Sequence, residues 1–406
     1  RQIFHESKVL KTGFHICAFN SSQLTLNGKT IEFEGKESIN QSWAGISHEV
    51  AMKTNDCLSI TTFGGYINSM DVPDENLKSK AQDAIRKAEE KGFDTLLKKQ
   101  KIEWELIWRH SDIKIEGDIS AQQAIRFNIF HLNQTYTGKD ARLNVGPKGF
   151  TGEKYGGVTY WDTEAYCLPF YMGTKDKSVP KNLLRYRYQQ LDKAIENAEK
   201  LGFSAGAALY PMVTANGEEC HNEWEITFEE IHRNSAIALA IKKYIDFTDD
   251  QSHMAEMGLE VLIGISRFWA QRVSFSSALN KYVILGVTGP NEYENNVDNN
   301  WYTNYSARWC LKYTKQAIES LALNDPENHQ RICQITNFKP QEIQQWNKII
   351  EDMYLPYSKE LDIYIQHDGF LNKELIPAAQ IPKDQRPINQ HWSWDRILRS
   401  PYIKQA

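Results

Sequence analysis

Nowhere in the 406 residues does an apolar run reach the roughly 18 residues that a membrane-spanning helix requires, and no basic segment followed by an apolar one reads as a secretory leader. Cysteine is sparse. Its six copies, at positions 17, 57, 167, 220, 310 and 333, form no C-x-x-C pair and no close Cys/His grouping. That spacing argues against a disulfide framework and against a zinc or other metal site, and fits reduced thiols in a cytoplasmic protein. Excess charge of one sign is missing too: Lys and Arg total 47 against 52 Asp and Glu, a net charge of -5 without a basic stripe, so nucleic acid is not an expected partner. There is no internal repeat and no low-complexity tract. The N-x-S/T triplets at Asn20, Asn40, Asn133 and Asn304 arise by chance in a chain this long and carry no weight.

What is present is the composition of a soluble globular chain, 41% hydrophobic and 24% charged, long enough for two domains. It opens on Arg rather than Met and stops within the apolar-periodic PYIKQA, so it reads as a fragment, and a leader ahead of it is left open.

Residues 1 to about 72 alternate in short stretches such as GFHICAF, QLTLNGKTIEFEG and CLSITTFGGYI, with NG, EG and GG as turn signals. They predict the end of a β-sandwich. From Pro73 the texture becomes charged and helical, predicting a two-segment helical linker over 73–117 that breaks at Lys91-Gly92. Beyond Asp118, apolar residues recur at helical spacing in AQQAIRFNIFHLNQ, KNLLRYRYQQLDKAIENAEKLG, EEIHRNSAIALAIKKYIDFTDD, MAEMGLEVLIGISRFWAQRV and WYTNYSARWCLKYTKQAIESLAL. Long helices joined by chemically loaded loops predict a helical barrel over 118–406 with its site on the rim.

Four loop segments carry that chemistry: 156–170, 209–234, 286–304 and 388–405. Each mixes Trp with carboxylates and amides. A sugar ring has apolar C–H faces and a rim of hydroxyls, so flat aromatics beside Asp, Glu, Asn, Gln and Lys suit it. One Trp alone would be read as core; four such loops point to carbohydrate. Cleaving a glycosidic bond requires an acid to protonate the leaving oxygen. By position the candidates are Asp162, Glu164, Glu218, Glu219, Glu223, Glu225, Glu229, Glu230, Glu292 and Glu294. Glu292 stands out because Gly289-Pro290 sets a turn before it. Equally, it could cap a helix starting near Asn299.

The segment VTGPNEYENNVDNNWYTN resembles the catalytic loop of glycoside hydrolase family 65, the inverting disaccharide phosphorylases. The likeness extends to YWDTEAYCLPFY, ANGEECHNEWEITFEEIHRN and RPINQHWSWDRILRSPYIKQA, and so covers nearly all of the chain from about residue 118. It implies a mainly α fold: an (α/α)6 barrel, truncated here, behind the end of a β-sandwich domain and a helical linker. It implies Glu292 as general acid, with Trp161, Asp162, Lys404 and Gln405 holding the donor glucosyl unit. The loop HNEWEITFEE is similar to that of the maltose-acting members, which implies that His221, Asn222, Glu223, Trp224 and Glu225 line the acceptor subsite; a lone His221 would otherwise read as an exposed loop residue.

The implied reaction is phosphorolysis of an α-glucosyl disaccharide, maltose foremost, with inversion to β-glucose 1-phosphate and glucose. Inorganic phosphate is a co-substrate, no cofactor is implied, and a homodimer is the expected assembly. Inverting hydrolysis, phosphorolysis of kojibiose or trehalose, and sugar binding without catalysis are the alternatives. The family's phosphate-holding loops lie beyond Lys404-Gln405, so the fragment is expected to be inactive alone.

Overall fold

Asn27 and Gly28 both take positive φ, 52° and 77°, as the two-residue turn of a tight hairpin demands. They join β2 (His15–Leu26) to β3 (Lys29–Thr30) in an antiparallel sheet that β1 (Gln2–Lys8) also enters along β2. A separate hairpin is made by β4 (Lys36–Ile39) and β5 (Ala44–Ser47), and β6 (Leu58–Asn68) then covers the other edge of β2. These positions belong to a computed structural model, which describes residues 2–10, 13–32, 35–40, 43–146, 149, 157–221 and 226–404. The chain divides into two compact units, 1–110 and 111–406.

One turn signal is corrected. The GG pair, Gly64-Gly65, lies inside β6 opposite Asn20 and Phe19 and turns nothing. Helix α1 (Leu77–Ser111) does break at Gly92, whose φ of 70° and ψ of 162° no interior helical residue adopts. Cys17 of β2 and Leu77 and Ala81 of α1 close a small core.

The second unit is built from helices. They are α2 (Ile119–Thr135), α3 (Leu168–Thr174), α4 (Ser178–Gln189), α5 (Leu191–Lys200), α6 (Ile226–Glu229), α7 (Arg233–Thr248), α8 (Leu259–Arg272), α9 (Trp301–Asn324), α10 (Pro326–Ile335) and α11 (Pro340–Asp352), followed by the short α12 (Ile388–His391) and α13 (Trp394–Arg399). The periodic stretch from residue 181 to 202 is two helices rather than one, because the chain turns at Gln190 with φ −105° and ψ 9°. Burial sorts the helices into layers. Helix α8 is buried on every side from Leu259 through Ala270 apart from Glu260, with Phe268 and Trp269 fully enclosed, and α7 is nearly as buried. By contrast α5, α10 and α11 each bury a single narrow stripe (Ala194 and Ala198; Ile332; Trp346 and Ile349), as an outer layer does. An inner layer backed by an outer one is the arrangement of an (α/α)6 barrel. All six cysteines are free.

Candidate active site

Three of the four loops singled out in the sequence precede helices of this unit: 157–162 leads through a π-helical turn, Thr163–Cys167, into α3; 209–232 leads into α7; and 284–300 leads into α9. Main-chain bonds then tie them together. Thr159 and Thr214 exchange two, at 2.8 and 3.1 Å, which lashes the YWD loop to the GEEC loop. Val287 and Val297 likewise exchange two, at 2.9 and 2.8 Å, so that residues 288–296 stand out as a closed loop with Glu292 near its tip. Gly289 has no alternative there, since a Cβ would lie 2.3 Å from the Asn300 side chain.

Glu229 holds that loop at its base. Its carboxylate accepts from Thr288 Oγ1 at 2.6 Å and from the Asn296 N–H at 3.0 Å, and its carbonyl accepts from the Thr288 N–H at 3.2 Å. On the other side Asn291 Nδ2 donates to Gln366 Oε1 at 3.0 Å and to the Lys404 carbonyl at 2.9 Å. The fourth segment thus reaches the loop through the Lys404 carbonyl and through Trp394, whose ring lies 5.6 Å from that of Tyr293, while the Lys404 ammonium donates to the Ser400 carbonyl at 3.0 Å.

The ten carboxylates that the sequence could not rank are sorted by their partners. Glu164 is consumed in a buried pair with Arg187, at 2.6 and 3.0 Å. Glu219 accepts the N–H groups of Met212, Val213 and His221. Glu294 is held by His367 at 3.1 Å and by Lys373, contacts that outweigh its burial and keep it ionised below the usual carboxylate range. Glu218 is exposed beside Lys193, and Glu229 is engaged by the loop it anchors. Glu223 and Glu225 lie outside the described residues.

Among the described candidates, Asp162, Glu230 and Glu292 act on one another. The Glu230 and Glu292 carboxyls are hydrogen-bonded to each other, and both feel the charge of Asp162. Burial raises Glu292 above the usual carboxylate range; the bond from Glu230 opposes the rise, Asp162 adds to it and His221 opposes it. Glu230 is only 2% exposed, and burial, followed by the Glu292 charge, pushes it up to about 9.

Beside the acids stands an aromatic wall. The half-buried Trp161 meets the ring of His232 edge-on at 4.9 Å, and His232 meets Tyr302 at 5.7 Å. His232, which sequence reasoning passed over, is fully buried and held neutral, its value driven down to about 3 chiefly by burial. Its only signal was its place two residues after Glu230. His221, half-buried, is hydrogen-bonded through Nδ1 to Thr227 Oγ1 and is no free loop residue. Asn222, Glu223, Trp224, Glu225 and Gln405 lie outside the described residues.

Two expectations are corrected. Glu292 does not cap α9: Asn300 does, accepting from the Thr303 N–H at 3.0 Å. The amides of 291–304 are also less available to a sugar than their number suggests. Asn291, Asn299 and Asn304 are buried and bonded to Gln366, Asp368 and the Tyr354 carbonyl, because a long irregular loop must satisfy its own polar groups.

Residues 126–406 match the glycosyl hydrolase family 65 central catalytic domain, and residues 1–107 match the N-terminal domain of the same family. The chain belongs to glycosyl hydrolase family 65. It is 52% identical over 348 residues to a maltose phosphorylase of Bacillus subtilis (strain 168), an alignment covering 86% of this chain and 45% of that protein. It is 36% identical over 399 residues to an alpha,alpha-trehalose phosphorylase of Thermoanaerobacter brockii, covering 98% and 51%. A solved structure from the human microbiome, described as a candidate kojibiose phosphorylase, superposes with a TM-score of 0.82 at 27% identity, over 100% of this chain and 53% of the other. The chain spans about half the length of the curated relatives it matches. Family and likeness together agree with the mainly helical barrel read from the burial pattern.

Proposed function

We propose that this chain carries the sugar-binding and acid-donating part of an inverting phosphorylase acting on an α-glucosyl disaccharide, maltose foremost. The observation that supports the reading best is the half-buried Glu292 carboxyl, raised by burial and presented on a closed loop among Glu230, Asp162 and the Trp161–His232 wall. A proton donor works best with its acid form populated near working pH, and burial serves that end. Glu292 gives its proton to the bridging oxygen as the bond from that oxygen to the anomeric carbon breaks. A phosphate oxygen forms its bond to the same carbon from the opposite face, yielding β-glucose 1-phosphate. The proton that hydrogenphosphate sheds returns through water to the acid.

Trp161 and Asp162, with Lys404 and Gln405, hold the donor glucosyl unit, and the segment from His221 to Glu225 faces the acceptor. Residues 1–72, 73–117 and 118–406 serve as sandwich end, linker and barrel. The enzyme works in the cytoplasm as a homodimer, a setting that free cysteines suit.

Inverting hydrolysis would require a second carboxylate about 6.5–9.5 Å from the acid, with water between. A hydrolase and a phosphorylase would share the proton donor, so the dependence on phosphate tells the two reactions apart. The test is incubation of the full-length enzyme with maltose. Glucose 1-phosphate should form only when inorganic phosphate is supplied; glucose release without phosphate would replace this reading with hydrolysis.

A further inference from the structure

Glu230 has no part in the reaction just described, yet its carboxyl is hydrogen-bonded to that of Glu292. It is 2% exposed, and its Oε1 has no hydrogen-bond partner among the described residues. It sits in the turn between α6 and α7, one residue after the glutamate that clamps the Glu292 loop, so its position and that of Glu292 are set by the same anchor. Arg233, the nearest cation on α7, does not neutralise it by direct contact: its guanidinium donates to the carbonyls of Tyr210, Thr227 and Glu230.

We propose that Glu230 is a positioning residue for the general acid, its carboxyl and that of Glu292 sharing one proton. This rests on the assignment of Glu292 as proton donor. Two carboxyls in hydrogen-bonding contact cannot both ionise cheaply, so they titrate as a pair, and the last proton leaves the pair at higher pH than it would leave either alone. Every charged or titratable group that acts on the pair bears on that result. Asp162, from the YWD loop, favours keeping the proton; Arg233, from α7, and His221, from the GEEC loop, favour its loss. His232 is held neutral, and Tyr293 adjoins Glu292 as a neutral phenol raised by burial. The shared proton is the one delivered to the bridging oxygen, after which the pair regains a proton from solvent.

The experiment is the pH profile of kcat/KM for the full-length enzyme and for Glu230→Gln and Glu230→Asp. Glutamine keeps the shape and one hydrogen bond but cannot share a proton. The alkaline limb of Glu230→Gln should move toward acid by about one pH unit or more, with activity at the acid end within about tenfold of the parent. Glu230→Asp, which keeps a carboxyl at a greater reach, should move the limb less. With α-glucosyl fluoride, whose leaving group needs little protonation, Glu230→Gln should stay within a few-fold of the parent. An unmoved limb in both variants overturns the proposal, as does an equal loss on maltose and on the fluoride. The profile can be recorded on phosphorolysis or on hydrolysis, so an error about phosphate leaves this test intact, and Glu292→Gln run in parallel exposes an error about the acid.

Discussion

Glu229 and Thr288 lie 59 positions apart and meet through a 2.6 Å hydrogen bond buried beneath the loop that carries Glu292. The same carboxylate takes the Asn296 N–H, so one side chain closes both ends of that loop. A loop of this length has many conformations of similar energy, and a buried charge-assisted bond selects one.

Replacing that anchor is expected to misplace the acid without removing it. Glu229→Ala should lower kcat by roughly 10²-fold, the cost of displacing a reacting group by about an ångström, with a smaller change in KM. Steady-state kinetics on maltose and phosphate would check this. Parental kcat would show that the loop is held by other contacts.

Removing the proposed acid itself should cost more. Glu292→Gln is expected to lose about 10²- to 10⁴-fold in kcat on maltose, the usual contribution of a positioned proton donor. A variant within a few-fold of the parent would transfer the role to another carboxylate.

Trp161 tests the proposed sugar-facing role of the Trp161–His232 wall. Trp161→Ala should raise KM for maltose about tenfold, since one aromatic contact contributes about 0.5–1.5 kcal/mol beyond its buried area. Unchanged KM would mean that Trp161 serves packing against His232 and Tyr166 instead.

The Glu164–Arg187 pair is a matter of stability. Both groups are almost completely buried, so Glu164→Gln strands a guanidinium and should cost about 3–5 kcal/mol in urea unfolding. A loss below about 1 kcal/mol would contradict the burial.

His232 gives stability a direction with pH. Its folded value near 3 lies below the ordinary value of about 6.5, so below pH 6.5 the unfolded chain takes up a proton that the folded chain refuses. The contribution of the neutral ring is complete above about pH 6.5 and is lost progressively as pH falls toward 3. His253, lowered to about 4 by burial, acts in the same sense. Urea midpoints should drop between pH 7 and 4.5, and His232→Gln should flatten that slope; a midpoint constant across the range would refute it.

The helical pattern, the break at Gly92 and the NG turn could all be read along the chain because each depends on neighbours a few residues apart: apolar spacing, or a backbone angle that few residues tolerate. The GG pair in β6 misled because glycine also serves where a strand is crowded, and only the opposite strand reveals the crowding, here by Phe19. Local order along the chain likewise named the four loops and put Glu292 among ten acids. It could not say which acids were already spoken for. Glu164 was taken by Arg187, Glu294 by His367 and Lys373, and Glu230 was set against Glu292, all through contacts between distant segments. A carboxyl's proton affinity depends on burial and on the charges a few ångströms away, and those distances exist only once the helices have packed.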